Sequence, residues 1–219
     1  MNHNIKTHDK NQQRVKMYDM LLKNIGRIMR RGGLIIIYQL KVSSAEKFFL
    51  IAMNVVCDLS ILYQNGIYCD SFLSCLFAFV LIQISFIDVK TYIIPNQCLL
   101  SITIMGMIHI FFDKKHILSY LLGVVTISTF LFLIYMITKA RGIGGGDIKL
   151  MACTGLYVGT PNIVIAFFLA CIMAVMLYVL QRMIGKSGHK IAFGPYLCAG
   201  VWIAMLYGEI IIHWYFQNI

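Results

Sequence analysis

ILSYLLGVVTISTFLFLIYMIT, residues 117–138, runs for 22 positions without one charged side chain. At about 1.5 Å per residue a helix of that length covers roughly 33 Å, enough to cross a hydrocarbon core of about 30 Å. Backbone polar groups in lipid must be satisfied within the segment, and a single apolar run does this only as a helix. Outward from this stretch the pattern recurs, with apolar runs at about 48–65, 71–88, 97–112, 147–160, 162–184 and 191–216. The chain of 219 residues is 59% apolar and 13% charged, with mean hydropathy +0.77. Soluble domains hold about 45–50% apolar and about 25% charged residues. The expected fold is therefore an all-α polytopic membrane helix bundle of about seven apolar segments, six or seven of them spanning. Pro95-Asn96 breaks the chain before the third run, and Thr160-Pro161 turns it between the fifth and sixth.

Residues 1–47 form a separate basic segment, with 48–219 as the membrane-embedded domain. Val15, Tyr18, Leu22, Ile25 and Met29 recur at helical spacing, and Lys16, Lys23, Arg27, Arg30 and Arg31 take other faces. That pattern predicts a basic amphipathic helix over about 14–31, suited to an anionic lipid surface. The first 33 residues are polar and basic, so no cleavable signal peptide is expected. With the N-terminus in the cytosol, 17 of the Lys and Arg residues fall on inner segments and only Lys114 and Lys115 on outer ones. Positive residues mark the cytoplasmic side, so the N-terminus is expected inside and the C-terminus outside. The net charge of +10 is then a topology signal, which removes nucleic acid as a partner. The seven cysteines show no CxxC spacing, so neither a metal nor another cofactor is expected.

Two acidic residues end or begin apolar runs. Asp88 closes Phe86-Ile87-Asp88, and Asp147 follows Gly144-Gly145-Gly146. Carboxylates at membrane depth are costly and mark function. Two runs separate them, so both lie at the cytosolic end. The fifth run, from Asp147 to Thr160, covers roughly 20 Å of a core of about 30 Å, which sinks Asp147 below the surface. The stretch Gly142–Gly146 is accordingly expected as non-helical backbone buried in protein or lining a wet cavity. Singly, Asp147 would serve as a cap for a helix starting at Ile148, and Asp88 as an interfacial charge beside Lys90. Together they form a pair that cannot both ionise and so share one proton. The ionised member takes a proton from water, and the protonated member donates to the scissile carbonyl and then to the leaving amine. Such a pair titrates as a unit, so neither residue receives one role. Gly144, Gly145 and Gly146 let a substrate backbone approach closely. Asp58, one turn after Asn54, is a third carboxylate within an apolar run.

These residues resemble type IV prepilin peptidases and the related preflagellin peptidases, which are GxGD-type membrane aspartyl proteases. Gly144-Gly145-Gly146-Asp147 matches GxGD, and Ile148-Lys149-Leu150 continues it as the D-x-K-L of the family does. Asp88 followed by Ile94-Pro95-Asn96 matches the motif around the first aspartate, and Phe193-Gly194-Pro195 resembles a late P-F-G-P segment, with Ala192 where proline is usual. The resemblance covers about residues 72–205. It implies catalytic roles for Asp88 and Asp147. It also implies an active-site loop or substrate contacts at Gly144, Gly145, Gly146, Lys149, Pro95, Gly194 and Pro195. It further implies cleavage of the basic leader of a prepilin or pseudopilin on the cytosolic face of the plasma or inner membrane. Longer bacterial members carry a cysteine-zinc region and methylate the new N-terminus. Positions 1–56 hold no cysteine, so a peptidase without methyltransferase activity is expected.

Two other classes fit fewer of these features. A small transporter or ion pathway would use Asp58, Asp88 and Asp147 as relay carboxylates. A non-catalytic assembly factor would keep the motifs without cleaving. Oligomeric state is not written in the sequence.

Overall fold

The computed structural model describes residues 43–66, 68–139, 142–184 and 192–217. The basic helix expected over 14–31 lies outside the described residues. Those residues form seven α-helices and one short 3-10 turn. The helices are α1 (Ser44–Asn65), α2 (Cys69–Thr91), α3 (Asn96–Phe112), α4 (Ile117–Ile137), α5 (Gly145–Val158), α6 (Thr160–Met183) and α7 (Gly194–Gln217), with the 3-10 turn at Lys114–His116 between α3 and α4. Each helix coincides with one apolar run.

The breaks have local causes. Tyr92 ends α2 in the left-handed region at φ 55°, with its N–H bonded to the Asp88 carbonyl at 2.8 Å. Pro95 then caps α3 with φ −68°, the angle its ring imposes. Gly159, at φ 81°, joins α5 to α6, and Pro161 sits in the first turn of α6, where a missing N–H leaves nothing unsatisfied. α1 starts at Ser44 rather than 48, because the Glu46 carboxylate accepts the Ser43 N–H at 2.9 Å and closes the first turn.

Among the described residues four segments, rather than the six or seven expected, are long and apolar enough to cross a membrane: Asp70–Thr91, Lys114–Ile137, Thr160–Met183 and Gly194–Tyr215. α3 is apolar but shorter, and α5 has 14 residues. α1 carries Glu46, Lys47 and Asp58 along its length. The chain is an integral membrane protein. α4 and α6 expose large apolar side chains such as Leu118, Phe132, Phe168 and Met176, as lipid-facing helices do.

The short helix α5 is enclosed by the others. Its C-terminal half is buried from Thr154 through Val158. Gly155 meets Gly123 of α4 so closely that a Cβ built on Gly155 would lie 2.2 Å from the Gly123 carbonyl oxygen. Gly106 of α3 receives the Leu156 side chain, and Tyr157 stacks on Phe77 of α2 with ring centroids 4.0 Å apart. Gly200 of α7 approaches the Ala166 carbonyl of α6 in the same way. With lipid no more polar than leucine, helices associate by such close backbone approach and by polar contacts between them. This packing fixes the start of α5, and with it Asp147.

Candidate active site

Asp88 sits in the last turn of α2 and is 5% exposed. Asp147 is the third residue of α5 and is 8% exposed. Asp88 and Asp147 lie within electrostatic reach of each other and of the Cys198 thiol of α7. Both are buried, at the end of α2 and the start of α5.

Backbone meets both acids. The Gly194 N–H donates to Asp88 Oδ2 at 3.0 Å. The Asp147 N–H donates to the Gly144 carbonyl at 3.1 Å. This pairing changes one expectation. Gly145 and Gly146 are helical rather than extended, with the Asp147 N–H closing the first turn on the Gly144 carbonyl. Only Gly142, Ile143 and Gly144 remain non-helical in that stretch. Asp147 therefore is not a cap preceding a helix at Ile148. It lies within the first turn of a helix that begins at Gly145.

The other motif residues take distinct places. Ile94 is buried, and a Cβ built on Gly146 would lie 3.2 Å from Ile94 Cβ, so the loop after Asp88 rests on the turn that presents Asp147. Pro95 begins α3 behind that contact. Gly144 and Gly145 are exposed, and nothing lies within 4 Å of a Cβ built on Gly145. That leaves open space beside the acids. Lys149 is exposed on α5. Gly194 and Pro195 form the first turn of α7, where proline's missing amide suits a helix start.

Lys90 does not neighbour Asp88 as an ion-pair partner. Its ammonium meets Glu46 of α1 at 2.8 Å and lies 4.7 Å from the Phe86 ring centroid. Asp58 lies beside the Cys75 thiol of α2, and its Oδ1 is buried without a hydrogen-bond partner. Cys75 precedes Asp88 by 13 residues, roughly 20 Å along the helix, so Asp58 is no part of the acid pair. Sequence reasoning missed Ser85 and Cys198, which lie beside each other one turn from Asp88 and Gly194. The available signal was spacing: Ser85 is three residues before Asp88, and Cys198 four after Gly194.

Comparison with known proteins yields one family. Residues 75–179 match the type IV leader peptidase family. The prepilin leader peptidase/N-methyltransferase of Dichelobacter nodosus is 30% identical over 138 residues, 60% of this chain and 47% of that protein. Those of Aeromonas hydrophila and Bacillus subtilis are 26% and 29% identical, covering 65% and 69% of this chain and 52% and 62% of their own lengths. The chain spans about half the length of the first of these curated relatives. No solved structure matches it.

Proposed function

We propose, on the premise that residues 75–179 belong to the type IV leader peptidase family, that this chain is a membrane aspartyl endopeptidase that removes the leader of a type IV prepilin or pilin-like protein. The reading is supported by the burial of both Asp88 and Asp147, within electrostatic reach of each other, and by the Gly194 amide that holds Asp88. Carboxylates so placed share one proton and work as a general acid/base pair on water and the scissile amide. A helix hides its amide bonds, so the substrate must unwind locally. The open space beside Gly145 supports an approach of extended backbone from that side.

The Lys and Arg distribution supports an active site on the cytosolic face of the plasma or inner membrane. The basic segment before Ser43 would lie on anionic lipid there. A relay pathway through Asp58 is disfavoured by its separation from the pair along α2.

The test is purified full chain in detergent or liposomes with a candidate prepilin, read by N-terminal sequencing of the product. Asp88→Asn and Asp147→Asn should each lower cleavage by about 10³-fold or more, in line with losing general acid/base chemistry. The protein should still insert and fold. Normal cleavage by either variant would refute the paired-acid reading. The product's new N-terminus should be unmethylated.

A further inference from the structure

The first turn of α7 contains an unusual accounting of amides. A helix start leaves its first N–H groups without intrahelical partners. In α7, Pro195 has no N–H, and those of Tyr196 and Leu197 both reach the Phe193 carbonyl at 3.1 and 3.2 Å. The Gly194 N–H is the first-turn donor left over, and it goes to Asp88 Oδ2 at 3.0 Å. Asp88 therefore caps α7 from another helix, 106 residues away in sequence.

The contact also has a steric side. A Cβ built on Gly194 would lie 2.6 Å from Asp88 Oδ2, 2.9 Å from Cγ and 3.2 Å from Cβ. Even a methyl group at Gly194 would force the Asp88 carboxylate to move from its present position. Both Gly194 and Asp88 are buried, so that displacement would take place inside the site. One turn further along α7, Cys198 lies beside Ser85, which is one turn before Asp88 on α2. The two contacts run in register along facing helices.

Resting on the proposed peptidase function, we infer that Gly194 is a positioning residue. Its amide orients the Asp88 carboxylate toward Asp147, and its missing side chain is what lets α7 come close enough to do so. It touches no substrate and acts only through Asp88. The reaction rate thus depends on the start of α7 as well as on the two aspartate-bearing helices.

The experiment compares the full chain with Gly194→Ala, Asp88→Ala and the double variant. Gly194→Ala should lower kcat by 100-fold or more with KM within threefold, because the substrate still binds and only the acid is displaced. Thermal unfolding supplies a readout independent of cleavage. Gly194→Ala should lower Tm in the Asp88 background and much less in the Asp88→Ala background, where the nearest remaining contact of the new Cβ is at 3.2 Å. Should Gly194→Ala alone fail to fold, folding of the double variant supports the contact, and failure of both overturns it. The inference is also overturned if Gly194→Ala cleaves within threefold of the parent, if its loss lies in KM, or if its Tm deficit is equal in both backgrounds. Failure of the peptidase reading itself would show instead as full activity of Asp88→Asn.

Discussion

Replacing Gly155 with alanine tests whether backbone contact between α4 and α5 holds the site together. The added Cβ would lie 2.2 Å from the Gly123 carbonyl oxygen and 2.6 Å from its carbon. Carbon contacts are optimal at about 3.5 Å or more, so the two helices must part by roughly 1.3 Å. Overpacking costs about 1–3 kcal/mol, and the upper part of that range applies because both clashing atoms are backbone and no rotamer change relieves them. Alanine returns about 1 kcal/mol of helix propensity relative to glycine, leaving a net loss of about 1–2 kcal/mol. For a chain of this size that corresponds to a Tm about 2–8 °C lower. Gly106→Ala is the matched comparison. Its Cβ would meet only Leu156 side-chain atoms, at 3.0 to 3.2 Å, which can shift, so its Tm should stay near the parent value. Thermal unfolding of the three purified proteins in one detergent measures the order. A Gly155→Ala protein as stable as Gly106→Ala would show that the α4–α5 approach does not limit the fold, and the argument from glycine contacts would fail.

Tyr157→Phe removes the hydroxyl that shares a 3.1 Å hydrogen bond with Ser74 Oγ but keeps the ring stacked on Phe77, and Ser74 keeps its bond to the Asp70 carbonyl at 2.9 Å. The loss should be about 1 kcal/mol, a fall of a few degrees in Tm, with leader cleavage retained. Asp113, outside the spanning segments, is held below the usual carboxylate range, first by its hydrogen bond from His116 and also by that from Tyr120. A depressed folded value means its stabilisation is complete above the unfolded carboxylate value of about 3.9 and is lost as pH falls through the lower folded one. The Tm gap between parent and Asp113→Asn should therefore be present at neutral pH and close in strong acid, and an equal gap at both would refute it.

The helices were legible because their signals are local. Apolar runs, Pro95, and the Thr160-Pro161 turn each act within a few residues, and each element falls where those signals put it. The extent of spanning was less legible, since α1 mixes Asp58 and Asn54 into an apolar run and α5 is short. Asp88 and Asp147 stood out as carboxylates that lipid would penalise, and their motif neighbours Ile94 and Gly146 do meet. The helical state of Gly145 and Gly146 was hidden, because glycine has little preference of its own for a helix and the packing of the rest of α5 decides where it begins.

What the amino-acid order alone determined is a set of apolar helices, their breaks, and two acids placed at matching ends. What the tertiary structure decided is the company those acids keep. Gly194 reaches Asp88 across 106 residues, Glu46 rather than Asp88 takes Lys90 across 44, and Ser74 finds Tyr157 across 83. Periodicity fixes which side of a helix a residue occupies, but the rotation and spacing of one helix against another are set by where glycines permit contact. Those contacts exist only once the helices are assembled.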